Sequence, residues 1–467
     1  MTYEQALDYL SQFSNYEHAR DAAAMRAIKL ERMRELCERL GGPQRRVRSV
    51  LVAGTNAKGS ICAMIYEILR SAGLPAGLYT SPHLEHLRER IRVSVDATSL
   101  EPGADWISEA EFAEAVAAVK SALVDPGEMF SSTPPTYFEL VTAAAFWHFA
   151  RRGVKVAVLE VGLGGRLDAT NVADPAISIL GPIGFDHTDI LGEELATIAW
   201  EKAGIMRPQR TIISAPQEPA VAALLRDLAV AQRCQLLEYG TDLSAEIVAH
   251  GVDGIQLAIQ GLRGRYEDIR LPLIGRHQAQ NAALAVAAVE SLSVDGAPHE
   301  AIRAGLARTR WPGRLQVVQG HATGLFDGAH NPQAAHALRR TVEELWPDTG
   351  KHVLLGMSVD KPIEEVAGIL APLATTITCS HSRHPRACPA PELARRINHL
   401  HANVSTIPDP VDAYTYLLNT VPDRDLIIVA GSLFLVGELH LALRRAQGQS
   451  KRRRSRRAPA KESSPCP

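Results

Sequence analysis

Cysteine is scarce in this chain, and its spacing excludes two classes of protein. A disulfide-stapled scaffold and a cysteine-based zinc site both need regular or closely spaced cysteines, and the sequence holds no C-x-x-C pair. We therefore expect reduced thiols. The 6 cysteines of the 467 residues are Cys37, Cys62, Cys234, Cys379, Cys388 and Cys466.

Long apolar runs and a secretory leader are also missing. No run reaches the roughly 18 apolar residues that a membrane span needs, and residues 1–8 include acids where a leader has a basic region followed by an apolar one. We expect a cytoplasmic protein without membrane contacts. At roughly 150 residues per domain, the length predicts two or three domains.

A large net charge is absent, but the charges are unevenly distributed. Of the 50 Lys and Arg residues, nine lie in residues 444–467 together with a single acid, Glu462. The remaining 41 basic and 51 acidic residues give residues 1–443 a charge of −10. This pattern predicts an acidic body with a solvated, disordered basic tail, and nucleic-acid binding by the tail is the less favoured alternative.

Short apolar runs predict an α/β fold with parallel strands. Val50–Ala53 ends at Gly54 and is followed by a helical pattern, and two further runs are apolar throughout, as in strands covered on both faces. Those two runs are Val154–Leu159 and Ala176–Leu180. Helical spacing is found in Tyr3–Leu40, Tyr137–Ala150, Leu195–Ala203 and Gln278–Leu292.

A second α/β series begins where Trp311-Pro-Gly breaks the preceding helix, and we place a domain boundary at residue 309. The chain thus divides into residues 1–309, 310–443 and 444–467. The second series has predicted strands at Leu315–Val318, Gly324–Phe326, His352–Leu355, Thr375–Cys379 and Leu426–Ala430, and predicted helices at Pro332–Leu345 and Pro391–Leu400.

The strongest local signal is the loop Gly54–Ser60, between a predicted strand and a helix. Backbone N–H groups and the positive end of the helix can hold phosphate oxygens there, and Lys58 adds a charge. The loop is shorter than G-x-x-x-x-G-K-[ST], and Ala57 stands where glycine normally precedes the lysine. The pattern favours nucleotide binding over a glycine-rich turn with a solvated lysine.

Other polar residues follow predicted strands and suggest a metal-phosphate site. Glu160 and His187 would meet at one edge of the sheet. Taken alone, Glu160 is explained equally well as a solvated strand end, and a single histidine is more often structural than a ligand. Asp327–Pro332 could bind a ligand or cap a helix. From spacing alone, Lys202 is expected to pair with an acid on a solvated helix face.

Together these motifs resemble the folylpolyglutamate synthase/dihydrofolate synthase family, a branch of the Mur-type ATP-dependent amide ligases. The resemblance runs from about Tyr3 to Leu443, and the number, order and spacing of the motifs make it specific. The motifs are Gly54–Ser60, Tyr79–Leu84, Thr136–Glu139, Leu159–Asn171, Asp186–Asp189, Glu201–Gly204, Trp311–Arg314 and Asp327–Pro332.

The resemblance implies a P-loop ATPase domain (1–309) and a Rossmann-like ligase domain (310–443), with the active site in the cleft between them. It implies catalytic roles for Lys58, Lys202 and His330. Two Mg²⁺ ions would be held by Ser81, Glu160, His187 and a carbamylated Lys202. ATP would contact Thr55, Asn56, Ala57, Lys58, Gly59, Ser60, Asn281, Arg314 and Asp327. The pterin side would be formed by Thr136, Tyr137, Phe138, Glu139, Leu167, Asp168 and Ala169.

The implied reaction joins L-glutamate to dihydropteroate or to reduced folates such as tetrahydrofolate. ATP would phosphorylate the acceptor carboxylate, and the glutamate amine would attack the acyl phosphate. The resemblance also suggests a monomer. Ala57 departs from the family pattern, and its methyl group would weaken or slow ATP use if the loop needs a left-handed conformation there.

Three other functions compete with this interpretation. A folylpolyglutamate synthase without dihydrofolate synthase activity would carry the same motifs. A cell-wall Mur ligase is disfavoured, because its UDP-binding domain would have to fit in the 53 residues before Gly54. A non-catalytic nucleotide-binding protein with a nucleic-acid-binding tail would leave the candidate metal and phosphate groups without a purpose.

Overall fold

The computed structural model describes residues 1–18, 29–95, 101, 103–123, 134–292 and 299–457, with the backbone alone after residue 445. These residues form two compact units. The first consists of residues 1–317 and 331–348, and the second of residues 318–330 and 349–467 as far as they are described. The boundary at residue 309 stays a prediction.

A seven-stranded sheet organises the first unit. Its strand order is β3-β2-β4-β1-β5-β6-β7, and every neighbouring pair is parallel except the antiparallel β2 and β3. The central strand therefore ends at the same edge as its two neighbours. The strands are β1 (Arg48–Ala53), β2 (Ala76–Tyr79), β3 (Ile91–Val93), β4 (Val156–Glu160), β5 (Pro175–Leu180), β6 (Thr211–Ser214) and β7 (Gln235–Glu238).

Side chains on both faces of this sheet are buried. Along β1, Leu51 and Ala53 belong to one hydrophobic cluster while Val50 and Val52 belong to another, because alternate residues of a strand point to opposite faces. All four side chains are fully buried. The continuous apolar runs in the sequence are thus strands covered on both faces, and the predicted α/β class is confirmed.

Helices cover this sheet. In the segment Tyr3–Leu40, where the sequence shows helical spacing, the described residues form two helices, and after the first of them the Asn15 side chain accepts a hydrogen bond from the Glu17 N–H at 3.0 Å in a turn. The helices are α1 (Tyr3–Ser11), α2 (Leu30–Arg39), α3 (Lys58–Ser71), α4 (Glu109–Leu123), α5 (Tyr137–Arg151), α6 (Thr188–Leu191), α7 (Leu195–Ala203), α8 (Pro219–Ala231), α9 (His277–Ser291), α10 (His299–Arg308) and α11 (Pro332–Leu345).

The first unit also contains an antiparallel sheet that the sequence did not predict. Its order is β10-β9-β8, and its outer strand β8 exposes alternate residues without a clear apolar period. Short 3-10 helices occur in both units, at Pro43–Arg46, Leu87–Arg90, Ala169–Val172 and Ala371–Leu373. The three strands are β8 (Ser244–Gly251), β9 (Gly254–Gln260) and β10 (Arg265–Leu271).

The second unit is built on a six-stranded sheet of order β11-β12-β16-β13-β14-β15, whose first strand begins just before the unit boundary. Its strands are β11 (Gln316–Val318), β12 (Thr323–Phe326), β13 (Lys351–Leu355), β14 (Thr376–Cys379), β15 (Val404–Thr406) and β16 (Leu426–Ala430). Its helices are α12 (Ile363–Leu370), α13 (Ala390–Ile397), α14 (Pro410–Thr420) and α15 (Leu433–Arg457).

The last helix extends into the predicted tail. We expected disorder from residue 444, whereas the backbone is helical to Arg457, and residues 458–467 lie outside the described residues. Lys, Arg, Gln and Ala are good helix formers, and the next proline is Pro459. None of the described helices combines the length and apolar character of a membrane span. The five cysteines in the described ranges are free thiols, and Cys466 lies outside them.

Candidate active site

Three loops meet at the carboxyl edge of the seven-stranded sheet. They follow β1, β4 and β5, which are adjacent, with Val52 paired with Glu160 and Ala53 paired with Leu180. Because parallel strands end at the same edge, the topology brings the glycine loop, Glu160 and the Asp186-His187 segment together.

The glycine loop is held against the loop after β5. The N–H groups of Thr55 and Asn56 donate to the Pro182 carbonyl at 2.9 and 3.4 Å, and the Thr55 hydroxyl donates to the Gly184 carbonyl at 2.9 Å. The first backbone N–H of α3 with a carbonyl partner is that of Ile61, on Ala57. The N–H groups of residues 58–60 therefore have no acceptor within the helix, as in a phosphate-binding loop.

Ala57 adopts the left-handed conformation that normally favours glycine. Its φ is 71° and its ψ is −14°, and α3 begins at the next residue. A left-handed backbone costs an L-residue roughly 1–2 kcal/mol, because its methyl group crowds the following carbonyl. The loop thus has the left-handed conformation in which the Ala57 methyl group is expected to weaken or slow ATP use.

We expect Ala57→Gly to be tolerated and Ala57→Val to be harmful. Glycine relieves the strain at an entropic cost of about 0.5–1 kcal/mol, so the free energy of unfolding should change by less than about 1 kcal/mol. Valine, which is branched at Cβ, should lower it by more than 1 kcal/mol and raise the KM for ATP. Urea unfolding and ATP titration measure both. Equal effects of the two variants would contradict a strained loop.

Lys58 is folded back over the loop. Its Nζ donates to the Gly54 carbonyl at 3.0 Å and lies 3.4 Å from the Thr55 carbonyl. Burial lowers the pKa of Lys58, against the opposing pull of Glu160 and Asp186. The amine is therefore placed among backbone carbonyls at the rim of the predicted phosphate site.

Glu160 is buried at the end of β4 and is tied to the Ser81 segment. One carboxylate oxygen accepts a hydrogen bond from the Ser81 N–H at 3.0 Å, and the residue is 5% exposed. Burial raises the pKa of Glu160, while the nearby Lys58 charge opposes the shift. Of the two alternatives for Glu160, the solvated strand end is wrong.

His187 follows β5 in a left-handed conformation and begins the short helix α6. Its φ is 53°, its N–H donates to the side chain of Asp186 at 2.9 Å, and its ring lies 3.8 Å from the same carboxylate. The half-buried imidazole thus lies at the same edge of the sheet as Glu160. Whether it binds a metal stays a prediction.

Lys202 is buried, so the solvated helix face expected from spacing alone is wrong. The residue is 5% exposed, and its Nζ donates to the Gly54 carbonyl at 3.1 Å. Burial and the charge of Lys58 lower the pKa of Lys202 to about 7, against the opposing effects of Asp186 and Asp168. Near neutral pH, a large fraction of this amine is unprotonated and nucleophilic.

The Lys202 amine should make the stability of the free protein depend on pH. The unfolded chain binds this proton below its ordinary pKa of 10.5, whereas the folded chain binds it only below about 7. Between these values the unfolded state holds more protons, so the free energy of unfolding rises with pH. In the unmodified protein the free energy of unfolding should rise with pH more steeply than in Lys202→Met, by up to about 1.4 kcal/mol per pH unit. Urea unfolding in metal-free, CO₂-free buffer from about pH 7.5 to 9.5 tests this, and parallel profiles would refute it.

The predicted pterin-side helix begins with a capping box. The Thr136 hydroxyl accepts from the Glu139 N–H at 3.2 Å, and the Glu139 carboxylate accepts from the Thr136 N–H at 2.7 Å. The same carboxylate forms a bidentate ion pair with Arg32, at 2.9 and 2.7 Å. Both oxygens of Glu139 are therefore engaged in holding the start of α5, while Tyr137 and Phe138 are only partly buried.

The segment Leu167–Ala169 is organised by a buried carboxylate. Asp168 accepts hydrogen bonds from the N–H groups of Gly162, Leu163 and Thr170, each at 3.0 Å. A Cβ on Gly162 would lie 2.7 Å from the Phe138 ring, so this glycine permits close contact between the segment and α5. The two predicted pterin-side segments are thus adjacent.

Arg314 belongs to a segment beside the glycine loop, whereas Asn281 is held within its own helix. Trp311 packs directly on Gly59, where a Cβ would lie 2.8 Å from its indole ring, and this contact brings the Arg314 segment beside the loop. The Arg314 charge acts to lower the pKa of both Lys58 and Glu160. Asn281 is buried in α9, where its amide donates to the buried Gln278 at 2.9 Å.

Asp327 and His330 belong to the second unit, at the carboxyl end of β12. The Asp327 N–H donates to the Val429 carbonyl at 2.9 Å, and its carboxylate accepts from the Ala329 N–H at 2.8 Å. The His330 Nδ1 donates to the Gly328 carbonyl at 2.7 Å, so Nδ1 carries a hydrogen. Their predicted roles remain predictions.

Asn331 and Gln333 contact the glycine loop; Asn331 lies in the motif Asp327–Pro332, but this contact and Gln333 were not predicted from the sequence. The Asn56 amide donates to Asn331 at 3.3 Å and to Gln333 at 2.7 Å, and the Asn331 amide donates back to Asn56 at 3.1 Å. Asn331 also caps α11 through the Ala334 N–H at 2.9 Å. The sequence indicated the capping role of Asn331, but its partner Asn56 lies 275 residues away.

The candidate metal ligands suit a hard cation with few protein contacts. Within the described ranges, no group of three or more His, Cys, Asp or Glu side chains is arranged to hold a metal ion. Mg²⁺ ordinarily takes one or two carboxylates and completes its shell with water and phosphate oxygens. The buried Glu160 carboxylate and the nearby Ser81 hydroxyl fit that requirement.

Models of Mur ligase domains match two parts of the chain. The Mur ligase middle domain matches residues 103–289, and the Mur ligase glutamate ligase domain matches residues 313–433. The two matches follow one another in the chain and together span most of the motifs described above.

Known proteins resemble the chain along nearly its whole length. It is 34% identical over 423 residues to the dihydrofolate synthase/folylpolyglutamate synthase of Bacillus subtilis, covering 89% of this chain and 95% of that protein. Escherichia coli FolC in complex with DHPP and ADP superposes with a TM-score of 0.82 at 30% identity, covering 96% and 99% of the two chains. A bifunctional folylpolyglutamate synthase/dihydrofolate synthase from Yersinia pestis, complexed with AMPPNP and Mn ion, superposes with a TM-score of 0.80 at 28% identity. The match covers 95% of this chain and 98% of that one. The chain therefore belongs to the dihydrofolate synthase/folylpolyglutamate synthase family of ATP-dependent ligases.

Proposed function

We propose that this protein joins L-glutamate to dihydropteroate and to reduced folates at the expense of ATP. The observation that carries the proposal is the 34% identity to a relative named for both activities, over 95% of that relative's length. The glycine loop supports it, because its free helix N–H groups and Lys58 suit the phosphates of a nucleotide.

The reaction activates a carboxylate, which is otherwise a poor acyl donor. An oxygen of the acceptor carboxylate attacks the γ-phosphorus of ATP, and the bond to ADP breaks. The amine of L-glutamate then attacks the acyl phosphate, loses a proton and expels phosphate, which leaves an amide. Water must be excluded because it would hydrolyse the acyl phosphate.

Lys58 would stabilise negative charge during phosphoryl transfer. Its Nζ is already held at the loop by the Gly54 carbonyl, so little reorganisation is required when phosphate arrives. Thr55, Asn56, Ala57, Gly59 and Ser60 would complete the phosphate cradle.

Further nucleotide contacts are proposed for Asn281, Arg314 and Asp327. Arg314 lies close enough for its charge to act on the pKa of Lys58 and Glu160, which supports its role as a nucleotide contact. His330 would act near the phosphate chemistry, and its Nδ1 bond to the Gly328 carbonyl would orient its ring there.

Two Mg²⁺ ions would be held by Ser81, Glu160, His187 and a carbamylated Lys202. When bound, such ions neutralise charge on the phosphoryl oxygens. Carbamylation forms a bond between Nζ and the carbon of CO₂ with loss of one amine proton, and so turns Lys202 into an oxygen-bearing anion. The buried amine near the Gly54 carbonyl supports this proposal.

The acceptor would lie along Thr136–Glu139 and Leu167–Ala169. The contact between Phe138 and Gly162 places these two segments side by side, and the exposed parts of Tyr137 and Phe138 offer aromatic surface for a pterin. Glu139 and Asp168 would position this surface, since their carboxylates are bonded within the protein.

ADP release tests the proposal directly. Purified protein should release ADP only when Mg²⁺, L-glutamate and either dihydropteroate or a reduced folate are all present. Activity with the folate alone would indicate a folylpolyglutamate synthase. Release of ADP that is indifferent to glutamate would refute the ligase proposal and favour a nucleotide-binding protein with weak ATPase activity.

A further inference from the structure

A buried arginine lies beside the predicted pterin-side helix and has no part in the mechanism above. Arg90 is 1% exposed. Its Nη1 and Nη2 donate to the two carboxylate oxygens of Glu17 at 2.9 and 2.6 Å, and its Nε donates to Nδ1 of His83 at 3.0 Å. Since a buried ion pair adds little net stability, its presence points to a role in positioning.

The bond between Arg90 and His83 fixes the tautomer of the histidine. The Nε of an arginine always carries a hydrogen, so the His83 Nδ1 must accept and cannot itself be protonated. The single ring proton of His83 therefore lies on Nε2. The half-buried imidazole presents one neutral N–H donor, and Arg90 together with Glu17 holds it in place.

His83 lies between the two ends of the proposed acceptor site. Two residues before it, the Ser81 N–H donates to Glu160 at the phosphoryl end. On the other side, the Arg90 guanidinium lies 5.9 Å from the centroid of the Tyr137 ring, at the start of the pterin-side helix. An acceptor bound at both proposed ends would have its p-aminobenzoyl part near this histidine.

We infer that His83 is a substrate-binding residue whose Nε2–H donates to an oxygen of the p-aminobenzoyl part of the acceptor. Arg90 and Glu17 are positioning residues that set its tautomer. In dihydropteroate the oxygen belongs to the carboxylate, and in a reduced folate it belongs to the amide carbonyl. The inference rests on the proposed function, because it presumes a pteroate or folate acceptor.

The two acceptors should respond differently to loss of this donor. A hydrogen bond to a charged carboxylate is stronger than one to a neutral amide, so its loss should raise the KM for dihydropteroate by about 10- to 100-fold and that for the folate by about 2- to 10-fold. The KM for ATP should stay within about twofold.

Two substitutions of His83 distinguish the roles of its two ring nitrogen atoms. In His83→Asn the side-chain oxygen can still accept from Arg90, but no donor reaches the position of Nε2. In His83→Gln the longer amide can restore that donor. We expect the full rise in acceptor KM in His83→Asn and at most about a threefold rise in His83→Gln. His336→Asn, at an exposed histidine of α11, is the matched control and should change neither KM.

Steady-state kinetics with both acceptors provides the first test. A selective rise in acceptor KM that His83→Gln reverses supports the inference. Unchanged acceptor KM values in His83→Asn, or equal rises for ATP and acceptor, would overturn it. If the unmodified protein makes no glutamate-dependent ADP with either acceptor, the proposed function itself fails.

The tautomer can be measured without substrate. In protein labelled with ¹⁵N-histidine, the His83 signals should show a protonated Nε2 and an unprotonated Nδ1. The paired variant Arg90→Met/Glu17→Gln, which leaves no buried charge unpaired, should shift the ring toward a mixture of tautomers and raise acceptor KM. A protonated Nδ1 in the unmodified protein would overturn the inference whatever the enzymatic activity.

Discussion

Lys58→Ala is expected to lower kcat/KM for ATP by about 10²–10³-fold or more, because it removes the cation placed to meet the transferring phosphoryl group. The Nζ is held at the loop by the Gly54 carbonyl at 3.0 Å, so the charge is in place before ATP binds. Steady-state ADP release at saturating acceptor and glutamate measures the effect.

The matched control for this prediction is Lys155→Ala. Lys155 is an exposed lysine before β4, and its loss should leave activity unchanged. The free energy of unfolding of Lys58→Ala should not fall, since the buried ammonium contributes little stability of its own. A loss of activity below tenfold would mean that phosphate binding does not depend on this lysine.

Lys202→Arg is expected to abolish most activity although it preserves a positive charge. A guanidinium stays protonated in proteins and cannot react with CO₂, so the variant lacks the proposed carbamate. We expect a loss of about 10²–10³-fold, comparable with the removal of a major electrostatic contact. In ¹³C-bicarbonate buffer, the unmodified protein should show a carbamate signal that Lys202→Arg lacks.

Chemical rescue separates a missing ligand from a damaged fold. In Lys202→Ala, a small carboxylate such as acetate can occupy the space of the carbamate, and partial recovery of activity is expected. Full activity of Lys202→Arg would contradict the carbamate proposal. Absence of the carbamate signal in an active, unmodified enzyme would contradict it equally.

The parallel sheets could be predicted from sequence, and the reason is local. Strands such as Val156–Glu160 and Leu426–Ala430 are covered on both faces and so appear as continuous apolar runs. The antiparallel strand Ser244–Gly251 exposes much of its length and mixes polar with apolar residues, and it was missed. The turn in which the Asn15 side chain accepts from the Glu17 N–H is a local side-chain feature, which no apolar periodicity reveals.

The site was predicted as a set of motifs, but its internal contacts were not. Spacing showed that Glu160 ends a strand, yet the burial of Lys202 and its bond to Gly54 join residues 148 positions apart. The Asn56–Asn331 and Arg90–Glu17 contacts are also distant in sequence. Such pairings depend on the tertiary fold, whereas Ala57 was identified because a left-handed turn is a local property.

The fate of the carboxylate oxygen tests the central claim, that ATP activates the acceptor as an acyl phosphate. Dihydropteroate labelled with ¹⁸O in both carboxylate oxygens should be incubated with ATP, Mg²⁺ and L-glutamate, and the released phosphate analysed by mass spectrometry. The account predicts one ¹⁸O atom in each phosphate, because the carboxylate oxygen that attacks the γ-phosphorus leaves with it. Unlabelled phosphate released together with the amide product would contradict the account.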